Sequence, residues 1–136
     1  MQAKVFMEQV RRAEEELKLI QAKRRHYHEL ATMAGIGGGS VGSQHTGATS
    51  RVETAAVNIV DLTTALDVKE TEYVQLIQKA ERLIDLIPQF KFRQVLTLHY
   101  LAGMTMKSVS DEIGYKDEKS VYRARGYALR ELQKLM

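Results

Sequence analysis

The last third of the chain carries cations and aromatics whose spacing suits contact with a polyanion. Lys119, Ser120, Tyr122, Arg123 and Tyr127 fall within one helical stretch, KSVYRARGY, and Lys91, Arg93, Lys107 and Lys116 precede it. Side chains on the outward side of a helix's first turns reach base edges in a DNA groove, while neighbouring cations hold phosphates. Lys119, Tyr122 and Arg123 are the candidates for the groove, with Ser120 and Tyr127 as further DNA-binding candidates. Arg123 carries the fork that takes guanine O6 and N7 together. Lys91, Arg93, Lys107 and Lys116 are the candidates for phosphate contacts. Any one of these cations is equally well explained as part of a solvated face; the set as a whole agrees in position and sign with nucleic acid.

The elements needed to place them are legible. Pro88 disfavours helical geometry at the residue before it and can open a new helix, expected over about 89–101 with Phe92, Val95, Leu96, Leu98 (or His99) and Leu101 as core candidates. Gly103 can supply a positive φ, and Thr105 is an N-cap for a short helix with Met106, Val109 and Ile113 turned inward. Gly114 ends that helix. Asp117 caps the last one, whose inner stripe is Val121, Ala124, Ala128, Leu132 and Leu135 and whose outer stripe is Lys119, Tyr122, Arg123, Gly126, Tyr127 and Arg130. Helix, glycine turn, short helix, glycine turn and basic helix is the spacing of a helix-turn-helix.

Ahead of this lie two long amphipathic segments. The first, about 2–34, has a seam of Phe6, Val10, Ala13, Leu17, Ile20, Tyr27, Ala31 and Ala34, interrupted at Arg24. The second, about 51–87, has Val52, Ala56, Ile59, Thr63, Leu66, Tyr73, Ile77, Ala80, Ile84 and Ile87, interrupted at Glu70, with Ser50 as its expected cap and Glu53 at capping-box spacing. Between them, residues 35–50 are rich in glycine and serine and read as a connector; no following Lys or preceding strand supports a phosphate loop. The fold class is therefore all-α: an N-terminal antiparallel helical hairpin over 1–87, then a helix-turn-helix domain over 88–136. Apolar residues off the second seam, such as Val60, Leu62 and Leu86, imply either cover by the C-terminal helices or a homodimer through the hairpin.

Charge and composition narrow the function. The formal net charge is +3 over 136 residues, but residues 88–136 hold nine Lys/Arg against five Asp/Glu, while 51–87 hold four against seven. The basic excess thus coincides with the helix-turn-helix pattern. There are no cysteines, so neither disulfides nor thiolate metal sites arise. No signal peptide and no membrane-length apolar run can be drawn, and a cytoplasmic protein is expected. His26 and His28 stand two apart and point to different helix faces, which does not suit a metal. The basic run from Lys23 to His28 and the pairs Glu14–Glu16, Glu70–Glu72 and Asp111–Glu112 are expected to be solvated faces. No nucleophile–base arrangement stands out; neither enzyme activity nor a cofactor is expected.

From Leu83 to Leu135 the chain resembles region 4 of sigma-70-type factors. The likeness rests on R-x-V-L-x-L-x-Y-x-x-G-x-T from Arg93 to Thr105, the Ile113–Gly114 pair, Val121, and A-L-x-x-L from Ala128 to Leu132. The whole chain resembles small phage and prophage proteins related to RinA/ArpU-type late transcription regulators, through Phe6 to Arg12, the Gly-rich connector and Asn58 to Leu62. Three features depart from the sigma pattern: a longer turn between Gly114 and Val121, Lys116 where a hydroxyl cap is expected, and no region 2. The resemblance implies a phage-encoded regulator, a late-gene activator in the bacterial cytoplasm, that binds double-stranded DNA and contacts RNA polymerase. It leaves open a small terminase-like packaging subunit, or a polymerase-binding module that does not touch DNA.

Overall fold

A computed structural model of the chain describes residues 1–33 and 46–136, with side chains described over 1–33 and 58–136. Every regular element among them is helical: α1 (Ala3–Met33), α2 (Thr46–Asp85), α3 (Phe90–Leu96), a π-helical turn (Thr97–Leu101), α4 (Met106–Ile113) and α5 (Glu118–Leu135). Of the connector expected over 35–50, residues 35–45 lie outside the described residues, as do Ala34 and the side chains of Val52, Ala56 and Val57, while 46–50 is helical and belongs to α2. The chain forms two compact units. One joins Met1–Glu16 to Tyr73–Met136; the other is Leu17–Glu72.

In the first unit, α1 contributes Ala3, Phe6, Met7, Val10 and Ala13, α2 contributes Ile77, Ala80 and Ile84, and Ile87 follows just after α2, all buried. Ala3 and Met7 widen the seam read from the sequence, as burial on more than one side requires. The Ala3 amide donates to Gln133 Oε1 at 2.7 Å, which fastens the start of α1 to α5. Lys79 Nζ lies 5.5 Å from the Phe6 ring centre.

The end of α2 shows what Pro88 does. The amides of Leu86 and Ile87 donate to Leu83 and Ile84 three residues back, at 3.2 and 2.9 Å, so the helix tightens before the chain turns. Arg93 Nη1 then donates to the carbonyls of Ile87 (2.5 Å) and Pro88 (3.0 Å). Those carbonyls are left free when helical pairing stops, and the guanidinium closes the turn.

The helix expected over 89–101 divides into α3 and the π turn. The Ala102 amide bonds to the Thr97 carbonyl at 2.9 Å, five residues back. His99 and Tyr100 are buried with Val95 and Leu96, which stand four residues earlier on the same face. Leu98 is half-buried and packs against a cluster of Val95, Met106, Val109, Val121 and Ala124. Phe92 and Leu101 are also half-buried. At the far end of α5, Leu135 is 39% exposed, so the expected inner stripe stops at Leu132.

The start of α2 differs from expectation too. Helical backbone begins at Thr46, which puts Ser50 inside the helix and removes it as a cap. After Gly47 the run Ala48–Thr49–Ser50 holds no glycine or proline to stop helical pairing.

In the second unit, Ile20 and Leu66 are buried, and the two seam interruptions meet. Arg24 Nη2 donates to both Asp67 and Glu70. Arg24 and Glu70 are therefore paired with each other as well as partly exposed. The Arg24 side chain remains 34% exposed and Glu70 41%, so water screens the pair. A coupling of about 0.2–1 kcal/mol is expected from a cycle of Arg24→Ala and Glu70→Ala in chemical denaturation, shrinking in 1 M salt; a coupling unaffected by salt speaks against a screened ion pair.

His99 gives the first unit a pH dependence. Its Nδ1–H donates to the Met104 carbonyl at 2.8 Å, which leaves the Nε2 lone pair facing Arg11 Nη1 at 3.4 Å. Burial pushes the imidazole below its ordinary value of 6.5; the Met104 carbonyl opposes this, and the charges of Arg11 and Arg125 add to it. The unfolded chain takes the proton more readily. The stabilising contribution is therefore complete above the unfolded pKa and is lost as pH falls through the folded one. Denaturation midpoints should fall between pH 7.5 and 5, and less steeply in His99→Gln; equal slopes for the two proteins would remove His99 as the cause.

Candidate nucleic-acid interface

Two caps and two left-handed glycines set the geometry of α4 and α5. Gly103 has φ 73° and Gly114 φ 91°, values that cost an L side chain about 1–2 kcal/mol. Thr105 caps α4 by accepting from the Ser108 amide at 3.2 Å. At the other end, the amides of Gly114 and Tyr115 both donate to the Ser110 carbonyl, at 2.9 and 3.0 Å. The buried Ser110 hydroxyl donates to the Asp117 carbonyl at 3.3 Å, tying the turn back onto α4. Asp117 caps α5 and accepts from both the amide (2.8 Å) and the hydroxyl (2.9 Å) of Ser120. These two bonds, the amide first, hold the Asp117 carboxyl below its usual range, with Arg123 adding to the effect. The longer turn after Gly114 thus ends on a working cap despite Lys116.

On α5 the buried stripe is Val121, Ala124, Ala128 and Leu132. Lys119, Tyr122, Arg123, Gly126, Tyr127 and Arg130 are all exposed. At 100° per residue, Lys119, Arg123, Gly126 and Arg130 fall within roughly 60° of one another, opposite that stripe. Tyr122 and Tyr127 lie on its two flanks. Tyr122 has the Arg125 guanidinium over its ring at 5.0 Å. Tyr127 has Arg130 at 5.7 Å and the Phe92 ring 6.4 Å away. A Cβ added at Gly126 would meet nothing within 4 Å. Packing inside the chain therefore does not require glycine there, although glycine in a helix costs about 1 kcal/mol against alanine.

The remaining sequence candidates are placed less uniformly. Lys107 and Lys116 are exposed, on the first turn of α4 and in the turn before α5. Lys91 is exposed with its Nζ 5.7 Å from the Tyr115 ring centre. Arg93 is half-buried and committed to the Pro88 turn, with its guanidinium 5.7 Å from the Phe90 ring. The Ser120 hydroxyl is spent as a donor on the cap. The sequence reading gave no role to Arg11 or Arg125. Periodicity puts Arg125 beside the inner stripe, and only packing reveals that its head group emerges over Tyr122.

Among the described residues, no cluster of three or more His, Cys, Asp or Glu side chains could hold a metal ion. No described helix is long and apolar enough to cross a membrane. No protein-family model, curated protein or solved structure matches this chain.

The caps make a direct test of this geometry. Thr105→Ala should cost about 1 kcal/mol in urea denaturation. Asp117→Ala should lower the thermal midpoint, whereas Asp117→Ser, which can still accept from the Ser120 amide, should recover most of it. Equal losses for the two Asp117 variants would mean that the cap is not what holds α5.

Proposed function

We propose that this protein is a DNA-binding transcription regulator of bacteriophage or prophage origin, a late-gene activator. In this reading α4 and α5 form a sigma-region-4-like helix-turn-helix and α5 lies in the major groove. The observation that carries it is the exposed face of Lys119, Arg123, Gly126 and Arg130 on a helix capped at its start. Arg123 reads a guanine edge; Lys119 and Arg130, with Lys107 and Lys116, contact phosphates. Gly126 supports the reading, since a small residue with open space around it lets a duplex approach the helix axis closely. Lys91 and Arg93 contribute less, Arg93 because its donors already serve the Pro88 turn. The long helices α1 and α2 act as a hairpin for self-association, and RNA polymerase of the bacterial host is the partner expected for an activator.

Gel-shift titration against phage late-promoter DNA tests this. Arg123→Ala should cost about 1–3 kcal/mol of binding and relax specificity at one base pair. Lys119→Ala should weaken all sequences alike. Wild-type binding no tighter than that of the double variant would end the DNA reading. One second reading has an observation behind it: Phe90, Tyr122 and Tyr127 are 64%, 46% and 47% exposed, and exposed aromatics favour protein interfaces. It assigns the same fold to polymerase binding without DNA, and polymerase capture that survives neutralising Lys119 and Arg123 would favour it.

A further inference from the structure

A cleft of about 340 Å³ opens beside the α5 face, with Glu8 and Arg11 of α1, His99, Thr105, and Tyr122 and Arg125 of α5 among its walls. All of these residues belong to the compact unit formed by Met1–Glu16 and Tyr73–Met136. We propose that this cleft binds a phosphate group carrying one negative charge, the phosphodiester of a nucleic-acid backbone. The choice of that source rests on the DNA-binding reading.

The charges decide the ligand class. Two arginines face one carboxylate, and His99 is kept neutral, so the cleft carries a net charge of +1. A phosphodiester brings one negative charge and balances it. A phosphate dianion would leave excess negative charge against Glu8. Arginine also offers paired N–H donors that match two phosphate oxygens.

The donors are held in place and not saturated. Arg11 Nη1 makes a contact of 3.4 Å with His99 Nε2, longer than an ordinary N–H hydrogen bond, and Arg11 Nε is buried without a hydrogen-bond partner. Arg125 is steadied over the Tyr122 ring at 5.0 Å with its N–H edge still available. His99 offers the ligand no donor, since its Nδ1–H is fixed on the Met104 carbonyl and its Nε2 lone pair faces Arg11.

The full chain and a mixed-sequence duplex of about 20 base pairs provide the test, by fluorescence anisotropy from 50 to 200 mM salt. Arg11→Gln with Arg125→Gln should flatten the slope of log affinity against log salt by about 0.9, the loss of one phosphate contact. Glu8→Gln should tighten binding several-fold, and Arg11→Lys should keep the wild-type slope, which also covers the case in which Arg11→Gln does not fold. A second arm titrates inorganic phosphate, followed by ³¹P NMR. Phosphate binding lost in Arg125→Gln, with an unchanged salt slope, overturns the phosphodiester assignment and leaves a site for free phosphate. An unchanged slope together with no phosphate binding overturns the proposal; if Lys119→Ala and Arg123→Ala still weaken duplex binding, the DNA reading stands without it.

Discussion

A hydrogen bond of 2.8 Å from His99 Nδ1–H to the Met104 carbonyl joins the π turn to the segment that leads into α4. Most of the C-terminal arrangement depends on it. The π turn carries His99 inward, Gly103 reverses the chain at φ 73°, and Met104 returns its amide to the Leu98 carbonyl at 3.0 Å. Only then is Thr105 placed to cap α4 and Met106 placed to enter the core. A neutral imidazole suits this position, since it donates through one nitrogen and leaves the other as an acceptor towards Arg11. Burial and two nearby guanidinium groups keep it in that form.

From this anchor the geometry propagates by packing. Val95, Met106, Val109, Val121 and Ala124 make one cluster drawn from α3, α4 and α5. Alanine at 124 and 128 lets α5 approach its neighbours closely, which turns the opposite face outward as a fixed stripe. Asp117 then sets the first turn of α5 by holding both donors of Ser120. The orientation of Lys119 and Arg123 is thus a consequence of buried residues and caps rather than of any contact those cations make themselves.

The long helices α1 and α2 obey a different constraint. Their apolar seams specify that two helices pack but only loosely which residues meet, because a seam of similar aliphatic side chains tolerates sliding. Arg24 with Asp67 and Glu70 breaks that degeneracy: a charge in an apolar seam is tolerated only where its counter-charge stands opposite. The net stabilisation is small, because both sides of the pair are partly exposed.

Much of this was legible in the residues alone. Periodicity gave the inner stripe from Val121 to Leu132. The glycines at 103 and 114 and the caps at Thr105 and Asp117 were readable because each depends on local backbone chemistry. Both interruptions, Arg24 and Glu70, were visible as exceptions, yet nothing local said that they pair. Three things needed the tertiary structure. The π turn at Thr97–Leu101 has no local signal, since an ordinary helix would also put His99 and Tyr100 on the face of Val95 and Leu96. The commitment of Arg93 to the Ile87 and Pro88 carbonyls follows from how the chain folds back at the proline. The meeting of Arg11 with His99 and Arg125, far apart in sequence, exists only once α1 and α5 share a core. Local rules fix elements and their ends; long-range burial decides which charges face one another.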